Sequence, residues 1–319
     1  MPTNHRPKSP GCALIWALIV LATQTFGQNL ATNTSFVSTQ PLALDPAIQA
    51  WAASVPADML QVIQKQANSP PWNDPPVRTQ RILQRCASLQ QLLTTGASDA
   101  TLSNALAASR LRISLVMAFG EHLFRNNDSH HSEMFYASVL QDHTNRATVV
   151  ELNHCHLWLG RFHQERALQL QHEQDRPDLA NPEFEAAAWH YLKATTISQD
   201  WGRELGWLKA AECCRELGQV GREQDCLMAL LNEPAASLRS RDLATYLLAN
   251  SYYAQKRYAD AAKVYQQLNT FLAPQSDGQP EEYPGQKAYL GLAATGLNWC
   301  AARQAEQAGP SKPNSGAAR

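Results

Sequence analysis

The sequence predicts an all-α fold, on three observations. Most of the chain falls into segments of helix length whose apolar residues recur at intervals of three and four; Gly, Pro and Asn punctuate these segments; and no stretch alternates apolar with polar residues as a half-buried strand does. An apolar share of 44% against 17% charged residues is ordinary for a globular chain, so helices of this composition have the apolar surface to share a core.

Residues 1–27 read as a signal peptide. His5, Arg6 and Lys8 precede an apolar run from Cys12 to Ala22, and Thr25, Phe26 and Gly27 place small residues near a cleavage point at Gln28. The run is short of the roughly 20 residues that span a bilayer, so an uncleaved membrane anchor is the lesser reading, and a membrane is a partner only in that case. The expected location is periplasmic or secreted. Residues 28–45 are Thr, Ser, Asn and Gln with few apolar groups, too little to offset the entropy of ordering, and read as a disordered linker.

Residues 46–199 form an expected helical N-terminal region. Its helices are placed at 46–52, 57–68, 77–95 and 99–125, the prolines of 70–76 breaking the pattern and Ser98 capping a stripe of Leu102, Leu106, Leu111, Leu115 and Phe119. Further helices follow at 130–141, 144–159, 162–174 and 182–199. The last opens on Asn181 as cap, with Pro182 at the first helical position and Glu183 and Glu185 at the positive end of the helix dipole. Residues 200–305 carry helices at 201–217, 219–232, 239–255, 257–271 and 286–305, and residues 306–319 read as a disordered tail.

Within 200–305 the residues Leu248, Ala249, Tyr252, Ala261, Tyr265 and Pro274 fall at spacings that resemble the tetratricopeptide repeat. Lys256 and Arg257 make the turn of the unit. An earlier copy has Trp207, Ala210, Ala211, Cys214, a turn at Gly218 and Gln219, then Leu227 and Leu230. It departs from the family in Glu223, where alanine is preferred, and in Cys214, which replaces tyrosine. Ala210 and Leu248 are 38 residues apart, against about 34 in the family. A weaker copy runs from Thr148 through Leu159, Gly160, Arg161 and Phe162 to His172. The helix with Tyr289, Leu292, Leu297 and Trp299 reads as a cap over the last unit.

This resemblance implies a helix-turn-helix repeat array, an α-solenoid whose first helices line a concave groove. Carried over to this chain, the groove-facing positions are Leu208, Glu212, Arg215, Tyr246, Asn250 and Tyr253. Their mixture of aromatic, amide and charge suits a protein or peptide partner. The same groove closing on a second copy of the chain is a further reading, as is simple helix packing by Tyr246 and Tyr253. Net charge is −1 with no dense Lys/Arg stripe, so nucleic acid is not an expected partner.

His122, His130, His131, His143, His154, His156, His163 and His172 crowd into one stretch, and imidazole is a transition-metal ligand. An exported metal-binding or metal-dependent protein using residues 122–172 is therefore the alternative function. The spacings oppose it: His154 and His156 diverge by about 200° on a helix, and His156 and His163 share a face two turns apart. No zinc-type His or Cys motif, serine elbow or phosphate loop is present. The neighbouring pairs Glu121–His122 and Asp142–His143 point apart on a helix. The expectation is no catalytic residue, no metal, no cofactor and no small-molecule substrate. Cys86, Cys155, Cys213, Cys214, Cys226 and Cys300 are an even set, read as packing residues before disulfides, with a bridge from Cys213 or Cys214 to Cys226 as the alternative.

Overall fold

A computed structural model describes residues 52–53, 55–68, 75–142, 146–197, 201–272 and 283–308. The expected leader, the linker, His143, Pro274 and residues 309–319 lie outside these. Twelve helices make up the fold among the described residues: α1 (Ala57–Ala67), α2 (Pro75–Thr94), α3 (Asp99–Ser109), α4 (Ile113–Arg125), α5 (Ser129–Asp142), α6 (Val149–His172), α7 (Pro177–Ile197), α8 (Trp201–Glu216), α9 (Val220–Leu231), α10 (Leu238–Ala254), α11 (Tyr258–Leu272) and α12 (Gln286–Ala308). None of them is long and apolar enough to cross a membrane.

Helices pack mainly on their neighbours in sequence, and alternate helices also touch, as in α4 with α6, α6 with α8 and α10 with α12. Contact continues from α6 and α7 into α8, across the expected boundary near residue 199. α1 lies on α4, held by Gln66 Nε2 donating to Ser114 Oγ at 2.9 Å and by Arg125 and Asp58 at 2.6 Å. An apolar core runs from Val55 to Phe162, centred on Phe119, Phe135 and Tyr136. Each such fully buried side chain contributes about 1.5–3 kcal/mol over an exposed one.

Three helix pairs repeat one pattern. In α4–α5, α8–α9 and α10–α11 the same relative positions hold Phe119, Ala210 and Leu248; then Gly120, Ala211 and Ala249; then Leu123, Cys214 and Tyr252. The second helices supply Ser132, Glu223 and Ala261; Tyr136, Leu227 and Tyr265; and Val139, Leu230 and Leu268. Every one of these except Tyr252 is buried. The turns match as well. Asn127, Gly218 and Lys256 stand at one common offset, each in the left-handed region with φ of 61°, 70° and 62°. The residue after each donates its N–H to the carbonyl of Leu123, Cys214 or Tyr252, at 2.9, 2.8 and 3.0 Å, closing the helix end as a Schellman turn does.

Polar substitutes at the alanine position have partners. Ser132 donates its hydroxyl to the Gly120 carbonyl at 2.6 Å. Glu223, 4% exposed, accepts from the Ser251 hydroxyl at 2.9 Å. Burial raises the Glu223 carboxyl above its ordinary value, the Ser251 hydrogen bond opposing.

Four expectations from sequence are corrected. The single helix over 99–125 is two: Arg110 takes φ 51° and Arg112 is extended at φ −71°, ψ 150°. Leu111, Ile113 and Leu115 alternate, so one helix could not bury all three, and the break does. Helices at 144–159 and 162–174 are one helix, α6, opened by a capping box in which Thr148 and Glu151 bond reciprocally. Gly160 is therefore no turn, and the weak repeat copy built on it is not a helix pair. The helix expected from Pro182 starts at Pro177 and carries Pro182 in its exposed first third. Finally, residues 306–308 of the expected tail continue α12.

Glycine serves close approach at the helix seams. A Cβ on Gly160 of α6 would lie 2.8 Å from the Tyr191 ring of α7, and one on Gly296 of α12 would lie 2.5 Å from Cζ of Tyr265 in α11. Tyr136 of α5 sits on Gly120 of α4 in the same manner, at 3.0 Å.

Candidate functional site

The groove positions read from the repeat resemblance fall into two groups. On α8, Leu208 is buried, while Glu212 accepts from Lys209 Nζ at 2.8 Å and from Gln164 Nε2 of α6 at 3.1 Å. The Arg215 side chain is 41% exposed, its Nε 3.8 Å from Glu216. These residues continue a wall shared with α6 and α4, where Arg161 lies 4.6 Å over the Phe124 ring and pairs with Glu165 at 2.8 Å. The wall is therefore polar and of mixed sign, with the Phe124 and Trp158 faces beneath Arg161.

On α10 the positions are taken up by the chain itself. Tyr246 is 8% exposed and packs on Tyr265 and on Tyr289 of α12, at 6.2 and 6.3 Å between ring centroids. Asn250 accepts the Tyr265 hydroxyl. Tyr253 packs on Tyr258 and on Trp299 of α12, at 5.1 and 6.2 Å. At this end α12 lies against α10 and α11, so these aromatic rings serve a helix seam.

The histidines separate into three places. His122 and His154 sit near the aromatic core of α4–α6, and burial lowers both. His130 and His131 stand at the start of α5, where His130 Nε2 is 3.0 Å from Asp99 Oδ2 and His131 Nδ1 is 2.8 Å from Asp128 Oδ2. His156 and His163 lie on one face of α6, and His190 of α7 fills the gap between them. Its Nδ1 is 3.0 Å from His156 Nδ1, one ring donating and the other accepting, and its ring stacks on His163 at 5.5 Å. Burial first, then Lys193, pushes His156 down to about 4. Burial first, then His156 and His163, pushes His190 down to about 3. Both are neutral at neutral pH.

From this cluster a polar seam leads across to α5. His163 Nδ1 bonds Glu183 Oε2 at 2.6 Å, and Arg166 bridges Glu183, at 3.3 Å, to Glu133. Two carboxylates answered by one guanidinium and an imidazole tie α5, α6 and α7 together. Beside it, Asp99, Ser129, His130, Glu133 and Arg166 line an open groove of about 740 Å³.

Sequence reading missed His190 and Trp189, whose ring lies 4.7 Å from His190 and carries Lys193 5.5 Å above it. The signal was present in register: a residue on the next helix can fill a two-turn gap that one helix cannot close alone. All six cysteines of the described region are free and buried. The Cys214 and Cys226 thiols, on adjacent helices, hydrogen-bond to each other. No protein-family model matches the chain, and no curated protein is significantly similar to it.

Proposed function

We propose that this chain is an exported scaffold of the tetratricopeptide-repeat kind that holds a segment of another protein and catalyses nothing. The observation that carries this reading is the threefold recurrence of small, buried apolar and left-handed positions in α4–α5, α8–α9 and α10–α11. A helix pair of this kind leaves an apolar edge that only stacking covers, and contact between alternate helices is what stacking of such pairs requires.

The binding wall is the α4–α6–α8 surface. Arg125, Arg161 and Arg215 have side chains 52%, 46% and 41% exposed, interleaved with Glu121, Glu165 and Glu216. The α10 end is closed by α12. An extended segment carrying both acidic and basic side chains matches such a wall, charge pattern fixing its register more than its affinity. The test is affinity capture from a cell-envelope extract, with wild type beside the Arg161→Glu/Arg215→Glu variant. Both sites are surface positions, so an unchanged urea midpoint is expected with a lost or much weakened partner. Equal capture by the two proteins refutes the wall.

A further inference from the structure

We propose that Asp99, His130 and His131 form a binding site for a divalent first-row transition-metal ion, zinc foremost, at the rim of the groove between α3 and α5. One donor atom from each of the three lies within 4.8 Å of those of the other two. The set joins two elements: Asp99 is the first residue of α3, capped by Ser98, and the histidines are the second and third residues of α5. Folding has therefore brought together ligands 31 residues apart, which local helix geometry alone does not do.

The geometry suits an ion. Two ligands each about 2.0–2.1 Å from zinc in a tetrahedral shell stand roughly 3.3 Å apart. His130 Nε2 and Asp99 Oδ2 are 3.0 Å apart. The third ligand is already oriented, because both carboxylate oxygens of Asp128 lie 2.8–2.9 Å from His131 Nδ1. A carboxylate behind a metal-ligating imidazole fixes its tautomer and orientation, leaving Nε2 for the ion.

Charge balance agrees. Asp99 and Asp128 bring two negative charges. A divalent cation offsets these two charges, with the imidazoles neutral as ligands and the helix starts holding the carboxylates ionised. Two nitrogen donors select zinc and its neighbours over calcium, which takes oxygen. The open groove beside His130 leaves the remaining coordination positions to water or to a small ligand. This inference stands apart from the scaffold reading, since it uses neither the α4–α6–α8 wall nor a partner.

The experiment is isothermal titration of the full chain, purified without a histidine tag, with zinc chloride and separately with calcium chloride. One zinc per chain and no calcium is expected. His130→Ala/His131→Ala should abolish the binding, and Asp128→Asn should weaken it by about 10–100-fold. Asp99→Asn, which keeps the shape of the residue, should weaken it too while far-UV circular dichroism stays unchanged. Absence of zinc binding at millimolar concentration overturns the site. So does zinc binding undiminished in the double variant, or binding lost in His156→Ala instead.

Discussion

The seam between α11 and α12 can be tested with two glycines on one helix. At Gly296 an added methyl would stand 2.5 Å from Cζ and 2.6 Å from both Cε atoms of Tyr265, about 1 Å inside an ordinary carbon contact. The ring has nowhere to go, being fully buried, flanked by Tyr246 and held at its hydroxyl by Asn250. Overpacking of this kind costs about 1–3 kcal/mol, against which the helix gains about 0.8–1 kcal/mol from alanine. Gly291, five residues earlier in α12, has nothing within 4 Å of its added Cβ. Gly291→Ala should therefore stabilise by about 0.5–1 kcal/mol, and Gly296→Ala should fall below it by about 1–3 kcal/mol. Urea unfolding followed by circular dichroism gives both values, and hydrogen exchange of the α12 amides reports whether the loss is local to that helix. If the two variants agree within about 0.5 kcal/mol, the close contact with Tyr265 does not set the seam.

Three other outcomes follow from particular residues. Glu223 has a raised carboxyl in the folded chain, so its contribution is fully present below its ordinary value of 4.5 and is lost as pH rises through the folded value. Glu223→Gln, which keeps an acceptor for Ser251, should gain stability relative to wild type between pH 4 and pH 7, read as a growing gap in urea midpoints. His156 and His190 behave oppositely. With folded values near 4 and 3 against an ordinary 6.5, their contribution is present above pH 6.5 and is lost as pH falls from there toward 3, so a His156→Leu/His190→Leu variant should show a flatter acid limb in thermal melts. Thr148→Ala removes the hydroxyl half of the α6 capping box, leaving the backbone N–H on Glu151, and should cost about 0.5–2 kcal/mol in chemical unfolding.

What the sequence disclosed and what it concealed divide along physical lines. The α8–α11 turns were legible because Gly218 and the Lys256–Arg257 step stand between two apolar stripes of the right spacing. The break between α4 and α5 was placed as well, but its likeness to the other two units was not legible, because Asn126, Asn127 and Asp128 make the turn without glycine and a hydrogen-bonded serine, Ser132, fills the alanine position. Gly160 misled for the converse reason. A glycine in a long helical pattern is ambiguous between a stop and a site of close approach, and only the Tyr191 ring decides it. Pro177 and Pro182 are both acceptable helix starters in isolation, and the N–H groups of Leu179 and Ala180, both turned to the Arg176 carbonyl, select the earlier one. At the expected groove positions, spacing could not give the exposure of Tyr246, because burial there depends on α12 lying against α10. The link between His130 and Asp99 depends on where α3 comes to rest beside α5, which no local pattern encodes.

Two of the rings seated on glycine do more than separate backbones. Tyr191 passes its hydroxyl to Gln164, which in turn holds Glu212, and Tyr265 passes its own to Asn250. The buried Gln164 and half-buried Asn250 are thus the acceptors that fix how each phenol is turned, and removing either amide would strand a hydroxyl in the spacing between two helices.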